Sequence, residues 1–183
     1  MKNCIFFLCC LLFVACNDDV IVKPNAKLRL DYPTPRYKKS QTNCSYSFDV
    51  NNQATLKKTR NCGVRLYYPN MRAAVYITYQ RVRDTNLDSL LYDAQKLAYN
   101  HDRIATSIPE KLFENKDHNT YGVFYSINGN AASQSHFYLT DSLQHFVTGS
   151  LYFDVKPNFD SLYPAVVYLR KDIMHLMETL EWK

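Results

Sequence analysis

The chain has 183 residues, with 22 Lys and Arg against 17 Asp and Glu, and a formal net charge of +5. An excess this small argues against nucleic acid as a partner. With four glycines and neither a P-loop nor a GxGxxG run, a backbone cradle for a phosphate cofactor is also excluded, and no cofactor is implied.

Met1-Lys2-Asn3 forms a positive start, Cys4 to Phe13 is an almost unbroken apolar run, and Val14-Ala15-Cys16 leads into the polar Asn17-Asp18-Asp19. That is the layout of a secretory signal. The dozen residues from Cys4 to Ala15 fall short of the roughly 20 that cross a hydrocarbon core, so the segment is expected to be cut off rather than retained. Ala15 before a cysteine resembles the lipobox of lipoprotein precursors, with Phe13 standing where Leu is usual. The expectation is a signal peptide over residues 1–15, lipidation of Cys16, a short tether over 16–26 and a single α+β domain over 27–183. An ordinary signal peptide with an incidental cysteine is the alternative. Cys9 and Cys10 are poorer lipid sites, because leucines surround them and no polar segment follows. Since one acyl chain holds a protein only marginally, the several chains of a mature lipoprotein would make the membrane a permanent partner.

Past the tether, Lys27-Leu28-Arg29-Leu30-Asp31-Tyr32 alternates like a first strand until Pro33 and Pro35 interrupt it. The basic cluster of Arg36, Lys38 and Lys39, with Lys57, Lys58 and Arg60 further on, reads first as a solvated face; contact with anionic headgroups near the anchor is the alternative. Once the signal is removed and Cys16 is lipidated, Cys44 and Cys62 are the two cysteines left, enough for one bridge. If 44–48 and 62–66 are both strands, each cysteine shares the parity of its apolar neighbours and faces the core. A pair of buried thiols is the competing reading, while no His or further Cys lies at ligand spacing for a metal site.

Alternation marks further strands at Tyr46 to Val50, Val75 to Tyr79, Tyr121 to Ile127, Phe137 to Leu139 and Val147 to Val155, the later ones forming a meander. The run Asn128-Gly129-Asn130-Ala131-Ala132-Ser133 is a loop whose Asn-Gly start suits positive φ. A period near 3.6 picks out two amphipathic helices, one along Leu87, Leu90, Leu91, Ala94, Leu97 and Ala98, the other from Leu162 to Leu180. Asn86 is the expected cap of the first, and Asp160 or Ser161 of the second, with Pro164 tolerated in its first turn. Both apolar stripes need cover, so the fold class is α+β, a mainly antiparallel sheet with two amphipathic helices packed on it. By analogy of element order it resembles a PsbP-like α/β/α sandwich, with the helices on opposite sides.

Chemistry is sparse. His101, His118, His136, His145 and His175 form no HExxH or paired metal spacing. Asp141 and Ser142 lie near His145, but no GxSxG elbow accompanies them, so no catalytic residue is assigned.

Five segments carry a resemblance: KLRLDYP (27–33), LYYPNMRAAVYITY (66–79), NLDSLLYDAQKLAYNH (86–101), YGVFYSINGNAASQSHFYLTDS (121–142) and GSLYFDVKPNFDSLYPAVVYLRKDIMHLMETLEWK (149–183). They closely resemble the gliding motility lipoprotein GldD family of Bacteroidetes. The resemblance implies a non-enzymatic lipoprotein of gliding motility coupled to type IX secretion, with other motility or secretion proteins as partners. It carries over one functional position, Cys16. Contacts through the sheet edge or through the loop residues Asn128, Gly129, Asn130, Ser133 and Gln134 are the expected mode, with the outer membrane as the expected site. A ligand-binding or hydrolytic envelope lipoprotein is the alternative.

Overall fold

The structure, a computed structural model, describes residues 30–40, 44–83 and 85–183. The signal segment, Cys16, the tether and Lys27-Leu28-Arg29 lie outside the described residues.

The elements in chain order are β1 (Tyr37–Lys39), β2 (Tyr46–Ser47), β3 (Asp49–Asn51), β4 (Thr55–Lys58), β5 (Val64–Tyr68), β6 (Ala73–Arg81), α1 (Leu87–Tyr99) and β7 (Ala105–Ser107). There follow β8 (Glu110–Asn115), β9 (Thr120–Ser126), β10 (Asn128–Gly129), β11 (Ser133–Thr140), β12 (His145–Phe153), α2 (Phe159–Glu178) and β13 (Glu181–Trp182). Seven strands form one antiparallel sheet in the order β4-β5-β6-β12-β11-β9-β8. Strands β9, β11 and β12 are the expected meander, β8 adds an edge strand that the alternation did not mark, and β12 docks along the full length of β6, from His145 opposite Arg81 to Phe153 opposite Ala73.

Because strand side chains alternate, neighbouring residues serve different layers. On one face Val75, Ile77, Phe137, Leu139, Val147 and Leu151 pack with Leu169, Ile173, Leu176 and Met177 of α2. On the other, Phe146 and Tyr138 meet Leu90 and Ala94 of α1, and Val123 and Tyr125 meet Ala98. The result is a helix–sheet–helix stack, the layering expected from the two apolar stripes. Gly149 makes room within it: opposite Phe137 in the register, an added Cβ would lie 2.1 Å from that ring.

Several local expectations are corrected. The described half of the first strand, Leu30 to Tyr32, has no regular structure. Two prolines follow it, and the Tyr32 ring leaves any ladder to pack 5.3 Å from Tyr168 of α2. Tyr46 to Val50 does not join the main sheet. It splits into β2, paired with β13, and β3, paired with β1, so Tyr46, Phe48 and Val50 are buried under α2 instead. Asn86 precedes α1, but its side chain serves the turn before the helix, accepting from Arg83 N at 2.7 Å and donating to Arg81 O at 3.2 Å. Helix α2 begins earlier than expected, so Asn158 rather than Asp160 or Ser161 caps it, accepting from Ser161 N at 3.3 Å. Pro164 therefore falls beyond the first turn and forgoes a helical N–H bond.

Candidate functional site

The segment singled out for partner contact is stitched to the middle of α2 by Arg170 and to its first residue by Asn130. Arg170 donates from Nη2 to the carbonyls of Ile127 at 2.9 Å and Gln134 at 3.0 Å, from Nη1 to Asn128 Oδ1 at 3.0 Å, and from Nε to Ser135 Oγ at 3.3 Å. The planar guanidinium suits this fan of acceptors, which an ammonium could not reach together. Burial lowers its pKa from the usual arginine value. Asn128 and Gly129 are half-buried as β10 against β7, with Gly129 at φ +105, where a side chain would be strained. Ser133 and Gln134, expected in an exposed loop, are buried at the start of β11. Gln134 Nε2 donates to Ala131 O at 2.8 Å and Gly129 O at 3.2 Å, which closes the turn from inside. Asn130 is exposed, and its side chain accepts from Phe159 N at 2.8 Å.

Cys44 and Cys62 form a disulfide, with Cα atoms 5.6 Å apart. It is half-buried rather than buried, because neither cysteine lies in a strand: Cys44 precedes β2, and Cys62 sits in the tight turn before β5 at φ 58. Tyr46 Oη donates to Cys62 O at 2.7 Å, adding a second link between the same two segments.

Residues 32–40 and 44–51 lie as a strap across α2, around a buried carboxylate that is not among the residues expected from sequence. Asp172 is 6% exposed. Its Oδ2 accepts from Tyr68 Oη and its Oδ1 from Asn51 Nδ2 at 3.1 Å, while the Tyr37 hydroxyl also hydrogen-bonds this side chain. Burial and the neighbouring carboxylate push the Tyr68 phenol well above its ordinary range. The Tyr37 ring stacks on His175 with centroids 3.7 Å apart. At the end of the chain, β13 pairs with β2, Trp182 opposite Tyr46, and Lys39 bridges Glu181 at 2.6 Å.

The histidines are dispersed into three surroundings. His136 is buried with Ser150 Oγ 2.7 Å from Nδ1 and His101 Nε2 3.3 Å from its Nε2. Burial, with some contribution from His101, pulls the His136 pKa down to about 4, so the ring is neutral near pH 7. His145 places Nδ1 2.8 Å from Tyr79 Oη and stacks on Trp182 at 5.2 Å. Asp141 and Ser142 do not assemble a triad with it. Burial would raise the Asp141 pKa, but the backbone N–H groups of Gln144, His145 and Leu143 outweigh it and hold the carboxyl below its usual value. Asp141 Oδ1 thus shapes the turn between β11 and β12 rather than orienting an imidazole. Asp141 and His145 line an open cleft of about 800 Å³ with His118, Tyr121, Glu181 and Trp182. No group of three His, Cys, Asp or Glu among the described residues is arranged to hold a metal ion.

The family described as gliding motility lipoprotein GldD matches residues 17–182. The chain belongs to this family. The GldD match takes in all the strands and both helices described above, and starts at the residue after Cys16. No curated protein and no solved structure matches the chain. GldD proteins are lipid-anchored envelope proteins associated with gliding motility, an accessory family rather than a known enzyme family.

Proposed function

We propose that this GldD-family chain is anchored in the outer membrane through acylated Cys16 and acts by protein–protein contacts, as a non-enzymatic accessory of the gliding machinery coupled to type IX secretion. The family match over residues 17–182 carries this reading. The internal use of polar groups supports it, since Asp141, Gln134 and Arg170 are spent on holding turns. Among the described residues, two surfaces are offered to protein partners. One is the turn bearing Asn128, Gly129 and Asn130, whose neighbours Ser133 and Gln134 support it from within. The other is β8, an edge strand of the main sheet that carries Leu112 at 82% exposure and offers an unpaired ladder.

The test is affinity capture from solubilised envelopes, comparing wild type with Cys16→Ala and identifying co-purifying proteins by mass spectrometry. Motility or type IX secretion components should accompany the lipidated form. Their absence from intact envelopes would overturn the assembly reading. The cleft around His145 and Trp182 favours a second reading, a ligand-binding or hydrolytic envelope lipoprotein. It predicts that His145→Ala abolishes gliding while the circular dichroism spectrum and envelope level stay unchanged.

A further inference from the structure

Between residues 30 and 68 the chain carries seven Lys and Arg against two Asp and Glu, an excess of five that equals the formal net charge of the whole chain, +5. The rest of the sequence is therefore balanced, and six of these seven cations flank one edge of the molecule, along β1 and the sheet-edge strand β4, with Lys57 and Lys58 on opposite faces of β4. Strands β1 and β4 flank one cleft of about 730 Å³, whose wall includes Lys38, Lys39 and Thr55 and whose floor is the apolar Val50, Ala54 and Leu56. Arg36, Lys38, Lys39, Lys57, Lys58 and Arg60 lie on these strands or directly beside them, and all six are exposed. Of the two acids in the stretch, Asp49 faces His175 at 3.5 Å on the inner side of the strap. Glu181 offsets one cation, Lys39.

The position of this edge along the chain indicates what it meets. Thirteen residues, 17–29, separate the lipidated cysteine from Leu30, and Leu30 to Arg36 leads directly into β1. Fully extended, that tether reaches only about 50 Å, and a relaxed one much less. The domain is thus held at the bilayer by the end that bears the cations. A surface held so close meets lipid headgroups at high effective concentration, and attraction to anionic headgroups acts within a Debye length of about 8 Å.

We infer that the β1–β4 edge is a docking surface for the anionic, phosphate-bearing lipid surface in which the anchor is seated, fixing how the domain is oriented on its membrane. The inference rests on the lipid-anchored reading above. It is tested without the anchor, on the mature chain carrying Cys16→Ser, by co-sedimentation with vesicles of phosphatidylglycerol and phosphatidylethanolamine or of phosphatidylcholine alone. Binding should require the anionic vesicles and be reversed by high salt. The triple variant K38E/K57E/K58E should bind on the order of a hundredfold more weakly. The control K111E/K116E/K171E, with the same change in net charge elsewhere on the surface, should bind like the parent. All six side chains are exposed, so both variants should melt with the parent, which thermal unfolding checks. Equal binding to both vesicle types, or equal loss in the control, would overturn the inference and point to an acidic protein as the occupant of the patch. Failure of the anchor itself is read separately, by mass spectrometry of Cys16 in envelopes, and leaves the vesicle result standing.

Discussion

Replacing Arg170 by Met keeps the length of the side chain and removes its donors, isolating the hydrogen bonds that tie the 127–135 segment to α2. The Gln134 carbonyl would still accept from Ile127 N at 3.1 Å, but the Ile127 carbonyl would lose its guanidinium donor at a buried position. Leaving one buried acceptor unpaired costs about 1–3 kcal/mol, and loss of the charge-assisted bonds to Asn128 and Gln134 adds to it. The charged group was itself half-buried, and relief of its desolvation returns part of that sum. The net expectation is about 2–4 kcal/mol of destabilisation, a melting temperature lower by about 5–15 °C in a domain of this size. Hydrogen exchange should quicken at the amides of the Asn128–Ser135 turn before it quickens in β12. Arg170→Lys should recover less than half of the loss, since an ammonium cannot reach four acceptors fanned in one plane. A melting temperature within 2 °C of wild type for Arg170→Met, by about the resolution of the assay, would refute this account of the hub.

Three further outcomes follow from the geometry. Reducing the Cys44–Cys62 bond, or changing both residues to Ser, should lower stability by about 3 kcal/mol for a closure spanning 18 positions, measured by denaturant unfolding with and without reductant. His136 is held neutral, with a folded-state pKa of about 4 against 6.5 for an ordinary imidazole; its contribution is complete above 6.5 and is lost as pH falls toward 4. About 3 kcal/mol should disappear over that window, and His136→Gln should flatten the acid limb of the stability curve; an unchanged limb would show that other groups govern it. At the alkaline end, the raised phenols of Tyr68, Tyr37 and Tyr46 contribute stability that is complete below pH 10 and falls as they ionise above it, so tyrosinate absorbance and loss of ellipticity should rise together.

The layering was legible because it depends on period alone. Alternation along β12 puts Phe146 and Val147 on opposite faces, and the 3.6-residue stripes of α1 and α2 each need a sheet face to cover them. The disulfide was legible as arithmetic but not as geometry, since both cysteines fall just outside strands, in a bend and a tight turn that parity does not describe. The alternation at Tyr46, Phe48 and Val50 showed that these residues would be buried without showing against what: a period of two is the same whether a strand joins the main sheet or pairs with β13 from the far end of the chain. Part of the strap's polar core had a signal that went unused. Asp172 falls three residues after Leu169 and four before Leu176, inside the apolar stripe of α2, where a carboxylate needs buried donors. Nothing local marks Tyr37, Asn51 and Tyr68 as those donors, because the cluster is assembled from distant segments. The pattern points to Asp160 or Ser161 rather than Asn158 as the cap because helix ends are the least determined part of a periodic pattern.

The pairing of β2 with β13 sets an order of events. In a chain delivered N-terminus first across a membrane, Tyr46 and Ser47 emerge long before Trp182 and Glu181, and Tyr37 emerges long before Asp172 and His175. The strap has no seat until the last helix and the last strand have arrived. Until then Tyr37, Tyr46 and Ser47 lack their partners in α2 and β13, so the seating of the N-terminal strap is set by the part of the chain that is made last.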